Sequence, residues 1–407
     1  MWYNFSTEVF RNVQVFCQRT AQKSKMRPPV YLDYNATTPH DPELAAAMLP
    51  YLKKYFGNPS SSHRYGVLTR EAVENARTQV ALLLNCLPEE IVFTSGGTES
   101  NNHAIKGIAF ACREKGNHIV TSQVEHPAVT EVCKFLNASG FDVTYLPVDE
   151  FGQVNISDAE KAITPQTILI TIMHANNEVG TIQPIAEISK IAREKGIIMH
   201  TDAAQSVGKL VTDSGVLGVD LLSVAGHKLY APKGIGALYI RKGVRPAKLI
   251  HGAGQEHGKR AGTENVLEIV GIGKACEIAR RDMEGGMRRM REMRDMLHNE
   301  LMKKFKDVRL NGHPENRLPN TLSLSFPGLN TATFLSEVKD YVALSAGAAC
   351  HSGVFEISHV LKAMGVPAAW AKGTLRFTTG KLTTEKEVRR AINVLSKVLK
   401  KHIHTGN

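Results

Sequence analysis

The sequence predicts an α/β fold, a large unit built on a mostly parallel sheet flanked by helices, followed by a smaller α+β C-terminal unit. Three observations carry this reading. From about residue 90, short apolar runs alternate with longer amphipathic stretches, the signature of strands joined by helical crossovers. Near residue 275 the pattern changes to one long charged stretch. Beyond it, apolar runs and helical stretches alternate again on a smaller scale. With 407 residues, 43% of them hydrophobic, the chain can fill more than one core.

Taken in order, "EIVFTSG" (90–96), "HIVTSQ" (118–123), "FDVTYLPV" (141–148), "TILITIMHAN" (167–176), "GIIMHTDA" (196–203), "VDLLSVAG" (219–226) and "GIGALYIR" (234–241) read as strands. "AEISKIAREK" (186–195) is one of the intervening helices. In "EGGMRRMREMRDMLHNELMKKF", Met287, Met290, Met293, Leu297 and Leu301 recur at helical spacing, which predicts a long helix packing one face. After it, "NTLSLSFPG" (320–328), "YVALSAG" (341–347) and "GTLRFTTG" (373–380) read as strands, with 384–401 as a helix. The expected division is 1–26 as an N-terminal extension, 27–280 as the large unit and 281–407 as the small one.

The formal charge is +11, and five basic residues face only Glu8 within residues 1–30. No lysine- or arginine-rich block interleaved with aromatics occurs, so a solvated basic surface is expected and nucleic acid is not. No apolar run approaches the length of a membrane span. The six cysteines, Cys17, Cys86, Cys112, Cys133, Cys276 and Cys350, are scattered without C-x-x-C or zinc spacing. That usage suits a reducing compartment and predicts no metal site. Residues 1–26 read either as a weak mitochondrial presequence or as a simple extension, with the cytoplasm as the default compartment.

Ligands of parallel sheets sit beyond the carboxyl ends of the strands, and five segments there carry chemistry. In "SVAGHKLYAPKG" (223–234), Lys228 follows a strand and can form a Schiff base with an aldehyde cofactor. Gly226 before it is expected to let the backbone approach a bound ring. In "HTDAAQSVGK", Asp202 can keep a pyridine nitrogen protonated, and Gln205 can reach a phenolic oxygen. A plain helix-capping aspartate is the competing reading. "TSGGTESNN" (94–102) opens a helix with two glycines, so amides at Gly97 and Thr98 can cradle a phosphate. A threonine-capped turn is the alternative, and no nucleotide-binding motif is present. His126 in "VEHPAV" can stack on a ring and relay protons. Cys350, in the small-residue segment "LSAGAACHSG" (344–353), is placed as an accessible thiol. The other five cysteines read as structural.

With these segments in view, the sequence resembles the NifS-type cysteine desulfurases and their selenocysteine lyase relatives. The resemblance is carried by "YLDYNATTP" (31–39), "FGNPSSSHRYG" (56–66), "FTSGGTESNN" (93–102), "HANNEVGTIQP" (174–184), "HTDAAQSVGK" (200–209), "GHKLYAPKGIGALY" (226–239), "RAGTEN" (260–265), "LPNTLSLSF" (318–326) and "AGAACHS" (346–352), in order from about residue 30 to 400. It implies a fold-type I pyridoxal 5'-phosphate (PLP) enzyme that takes sulfur or selenium from L-cysteine or L-selenocysteine and leaves alanine. It further implies a homodimer with sites near the interface and an acceptor protein for the sulfur or selenium.

By resemblance, Lys228 is the Schiff-base lysine, Asp202 the pyridinium partner, Gln205 the phenolate contact and His126 the stacking histidine. Gly97, Thr98 and His227 match phosphate contacts, and Thr263 matches one contributed by the partner subunit. Asn35, Asn177 and Arg376 match substrate contacts, and Cys350 the persulfide-forming cysteine. Two departures stand out. Ala225 occupies a position where many relatives have serine, which removes one phosphate hydrogen bond, worth about 1 kcal/mol. "AACHS" is closer to the lyases, whereas "GVFEISHVLKAMG" follows desulfurase spacing. Another PLP reaction such as transamination, or a non-catalytic sulfur-transfer scaffold, is the rival reading.

Overall fold

The structure is a computed structural model that describes residues 27–351 and 354–403, with only the backbone described at 348–351 and 354–356. The expected extension at 1–26, including Cys17, lies outside the described residues.

Seven strands form the main sheet: β2 (Ile91–Thr94), β3 (His118–Ser122), β4 (Asp142–Leu146), β5 (Thr167–Thr171), β6 (Ile198–Asp202), β7 (Leu221–Ala225) and β8 (Gly236–Ile240). Their order is β2-β8-β7-β6-β5-β3-β4. Only β8 runs against the rest, being antiparallel to both β2 and β7 while the remaining pairs are parallel. The strands predicted from 90 to 241 are these seven. Both faces are covered, which is why they read as continuous apolar runs. On one face Phe93, Leu222, Ala237 and Tyr239 join Val73, Val80 and Leu84 of helix α2 (Arg64–Leu84). On the other, Val92, Leu221, Leu238 and Ile240 join Ile105 and Ile108 of helix α3 (Gly97–Ala111) and Val132 and Leu136 of helix α4 (Pro127–Ala138).

A second sheet is antiparallel, ordered β12 (Ser345–Ala346), β15 (Thr374–Thr378), β10 (Thr321–Ser325) and β9 (Arg309–Asn311). Its core holds Leu322, Leu324, Leu375 and Phe377 against Met293, Leu297 and Leu301 of helix α5 (Val266–Lys304) and Val388, Leu395 and Leu399 of helix α6 (Glu385–Ile403). The methionine-leucine stripe is therefore the packing face of a long helix, with Met287 only half-buried.

Two features modify the expected division. Helix α5 is continuous for 39 residues, about 58 Å long, so residue 280 falls inside it rather than at a boundary. Strand β1 (Val30–Tyr31) pairs in parallel with β11 (Val342–Ala343), and Val30 and Leu32 sit in the second core. Residues just after 27 thus pack with the C-terminal unit before the chain crosses to the main sheet. The segment carrying Cys350 is a hairpin of β13 (Ala348–His351) and β14 (Val354–Ile357), with Cys350 opposite Phe355.

Candidate active site

A cavity of about 370 Å3 lies past the carboxyl ends of β2, β3, β5, β6 and β7 and is closed on the other side by Asn35 and Arg376. It brings together Asn35, Gly97, Thr98, His126, Asn177, Asp202, Gln205, Ala225, His227, Lys228 and Arg376. Residues from Gly97 to Lys228 converge because β2 and the parallel strands share a direction, and Asn35 and Arg376 join them from outside the main sheet.

Lys228 sits in a single helical turn directly after β7. Its Nζ donates to the main-chain carbonyls of Asn35 (2.5 Å) and Ala36 (2.7 Å). Burial, reinforced by the Arg376 guanidinium and opposed by Asp33 and Asp202, lowers its pKa to about 8. An amine so poised loses its proton readily, as a nucleophile toward an aldehyde must. The turn is pinned from below: Thr38 Oγ accepts from Tyr230 N (2.8 Å) and donates to the His227 carbonyl (2.9 Å). Tyr230 is held there at φ 63°, a strained backbone for an aromatic residue.

Asp202 ends β6. Its Oδ1 accepts from Ala204 N (2.9 Å) and its Oδ2 from Asn101 Nδ2 (2.7 Å). No helix follows Asp202 directly, so the helix-capping expectation is not met: one oxygen instead stabilises a tight turn, and the carboxylate lines the cavity. His126, by contrast, is a helix cap. Its Nδ1 accepts from Ala128 N (3.1 Å) at the start of α4, which leaves the ring proton on Nε2 when the imidazole is neutral. Burial lowers its pKa, as do Lys228 and His359, against the pull of Asp202.

Helix α3 begins with Gly97 and Thr98 on the cavity wall, where first-turn amides and the helix dipole favour an anion. The approach depends on glycine. A Cβ at Gly236 would lie 2.7 Å from Gly96 Cα and 2.6 Å from the Val224 carbonyl oxygen, and one at Gly97 would lie 3.2 Å from Ala225 Cβ. His227 adds its ring, held by Thr37 Oγ (3.3 Å) and kept neutral near pH 7 because burial and Lys228 lower its pKa to about 4.

Arg376 lies on β15. Its Nη1 donates to the Asn177 carbonyl (3.1 Å), and its Nη2 donates to Asp33 (3.0 Å) and Ser345 Oγ (3.2 Å). Its buried Nε has no partner among the described residues, and the residue itself lines the cavity. Asn177 turns its carbonyl to Asn35 and Arg376, and its side-chain amide has no partner among the described residues.

Two expectations change. Asn35 does not offer its side chain to a substrate. Nδ2 donates to the Asn177 carbonyl and Thr321 Oγ, Oδ1 accepts from Asn320, and only the main-chain carbonyl is left to meet Lys228 and Gln205. Gly226 does not serve the cavity either. A Cβ there would meet the Ile235 carbonyl oxygen at 2.8 Å, so its role is to close the turn onto β8. Thr263 is exposed and outside its own chain's cavity, where a residue expected to serve a partner's site would lie. The side chain of Cys350 lies outside the description, but the base of its hairpin is tethered to the cavity loops. Ser358 Oγ donates to Glu178 (2.5 Å), and His359 Nε2 donates to the Glu125 carbonyl (2.9 Å). Burial pushes the Cys86 and Cys133 thiols up to about 12 and raises Cys276 further, which leaves them poor nucleophiles.

Asn101, Asp33 and Ser345 were not singled out from sequence, because each acts through a partner more than 30 positions away and no spacing rule joins them. A larger cavity of about 590 Å3 is lined by Asp41, Arg281, Asp282 and Lys381 among others. Those four charges are paired with one another or with Glu43, while Arg289, also in the lining, donates its Nε to the Thr383 carbonyl (3.2 Å).

The donor set fits PLP. A poised lysine, a buried carboxylate, a helix N-terminus and a guanidinium share one cavity, which matches an aldehyde, a pyridine nitrogen, a phosphate and a substrate carboxylate.

Comparison with known proteins agrees. Residues 30–391 match the family model described as aminotransferase class-V. The chain is 52% identical to a cysteine desulfurase IscS of Dictyoglomus turgidum over 92% of this chain and 96% of that one. It is 47% identical to a cysteine desulfurase of Trichormus azollae over 91% and 93% of the two chains. Among solved structures, a NifS-like protein superposes with a TM-score of 0.86 at 38% identity, covering 92% of this chain and all of that one. SspA in complex with cysteine superposes with 0.76 at 38% identity, covering 87% and 99%.

Proposed function

We propose, for a chain that belongs to the class-V aminotransferase family, that it is a PLP-dependent cysteine desulfurase converting L-cysteine to L-alanine and passing the sulfur to Cys350. The observation that carries this is that Lys228, Asp202 and Arg376 line one cavity. When bound, PLP supplies an aldehyde for amines and a ring that accepts electrons from the α-carbon of an amino acid.

The chain's own residues divide the remaining work. Lys228, with its lowered pKa, attaches the cofactor and, once displaced by substrate, has Nζ free to take and return the α-proton. Asp202, fixed by Asn101 and the Ala204 amide, keeps negative charge at the ring nitrogen. Gly97 and Thr98 amides with His227 hold the phosphate. Arg376 supplies the positive charge for the substrate carboxylate, and Asn177 adds its side-chain amide. His126, with its proton on Nε2, covers the ring and can exchange a proton at that nitrogen. Cys350, on a hairpin whose base is tied to Glu178 and Glu125, supplies the thiolate that attacks the substrate sulfur. The new S–S bond forms as the substrate C–S bond breaks, and the electrons of that bond stay on the alanine fragment.

The names of the relatives at 47–52% identity favour cysteine over selenocysteine, and the lyase-like "AACHS" does not outweigh them. Supply of the sulfur to a separate acceptor protein, and a homodimer in which Thr263 reaches the phosphate of the partner's site, belong to the same proposal. The exposed apolar residues Leu49, Leu52, Phe56, Tyr65 and Leu68 offer a surface for a second copy.

The test is Cys350→Ala with L-cysteine. Alanine and protein-bound persulfide should both fall by at least about 100-fold, the scale of losing a covalent nucleophile, while the colour of bound cofactor is retained. Undiminished alanine formation would remove the persulfide role, and a keto acid in place of alanine would favour transamination.

A further inference from the structure

Lys209 is a buried amine that the proposed chemistry does not use. It leaves the tight turn after β6, where its own amide donates to the Ser206 carbonyl (2.9 Å). The residue is 3% exposed and lies outside the cavity lining. Its Nζ has one hydrogen-bond partner among the described residues, Gln205 Oε1 at 2.9 Å. Burying an ammonium with a single neutral partner is unfavourable for stability. Burial, with Lys228 and Arg376 nearby, lowers its pKa to about 7. A group retained at that cost points to a use at the neighbouring site.

The use follows from the two-fold ambiguity of a glutamine amide. Gln205 lines the cavity, and its oxygen and nitrogen have nearly the same shape but opposite hydrogen-bonding character. Only an N–H stabilises an anionic ring oxygen; the flipped amide would set a carbonyl against it. Here the flip is fixed from both ends. Lys209 donates to Oε1, and Nε2 donates to the Asn35 carbonyl (3.1 Å), the same carbonyl that accepts from Lys228 (2.5 Å). Nε2 carries two hydrogens, so one remains for a ligand.

We propose that Lys209 is a positioning residue for the cofactor: by holding Oε1 of Gln205 it compels Nε2 to face the ring oxygen of bound PLP as a donor. This rests on the PLP reading above. Lys209 touches neither cofactor nor substrate and acts only through Gln205.

The test uses the holoenzyme and the pH midpoint at which the visible absorbance of bound PLP changes. A donor at the ring oxygen favours the more anionic form, so losing it raises the midpoint. Lys209→Met should raise it by about one unit, a tenfold change in proton affinity. In a Gln205→Ala background the same substitution should add no shift, because its route is gone. Lys209→Leu provides a second apolar replacement read in the same way. An unchanged midpoint in these variants, or an equal shift with and without Gln205, overturns the proposal. Wild-type protein with no visible cofactor band would instead overturn the PLP reading.

Discussion

Lys228 shows how a single residue acquires chemistry from its surroundings. In water a lysine amine is almost wholly protonated at neutral pH. Burial and the Arg376 charge disfavour the proton here, and Asp33 and Asp202 recover only part of the loss, so the pKa falls to about 8. The sign is definite. A lowered folded-state pKa means the reactive uncharged amine accumulates as pH rises through about 8. The rate at which apoprotein captures PLP, followed by absorbance, should therefore rise with pH and level off above about 8; a rise centred near the ordinary lysine value would contradict the assigned environment. At this scale the sequence was informative where one side chain carries the role. Lys228, Asp202 and His126 stand out because each follows or ends an apolar strand, whereas Arg376 is singled out only by the family resemblance. Asn35 and Gly226 were legible only as positions. Whether an asparagine presents its amide or its carbonyl depends on Asn177, Asn320 and Thr321, none of which its own neighbourhood in sequence reveals.

Helix α2 and the loop before α5 illustrate the scale of the element. Arg77 on α2 is 2% exposed and donates to both oxygens of Glu256, itself 5% exposed, at 2.7 and 2.9 Å. Glu256 in turn accepts from Phe93 N (2.8 Å), and Arg77 donates to the Ile91 carbonyl (2.9 Å). One ion pair thus fastens α2 and the 256 loop to the edge strand β2, whose carboxyl end leads into the phosphate-side helix α3. Arg77→Met leaves Glu256 buried without its counter-charge, which should cost about 3 kcal/mol. Urea denaturation should show the midpoint falling with an unchanged slope, and a loss below about 0.5 kcal/mol would contradict the linking role. The seven strands and helix α5 could be read from periodicity, because both-face burial makes the strands uniformly apolar and one-face burial gives α5 its stripe. The boundary at 280 could not. A helix that serves two cores has no breaker where its partners change, and the pairing of β1 with β11 joins residues with no local signal for each other.

At the scale of the whole molecule, the site is a place where the ends of the chain meet. Asn35, from the first described segment, touches Thr378 near the other end (3.0 Å), and Lys228 between them reaches back to Asn35. Such closure makes the cavity depend on correct assembly of both sheets. The exposed apolar surface, with Phe56 at 79% exposure stacked on Tyr65, is argued above to meet a second copy. Sedimentation equilibrium should give twice the 44.7 kDa chain mass, and Phe56→Glu should weaken self-association at least about tenfold, as for a buried aromatic anchor; a monomer in the wild type at micromolar concentration would contradict the dimer. The overall architecture was legible from the alternation of strands and helices. The partner-site role proposed for Thr263 rests on resemblance alone, since a contact between copies would leave no mark in one chain.

The most direct measurement concerns the covalent attachment itself. Protein loaded with PLP, reduced with borohydride and digested should carry the pyridoxyl group on the peptide that contains Lys228, with none on Lys209 or any other lysine. A label elsewhere, or no label at all, would contradict the assignment of this cavity.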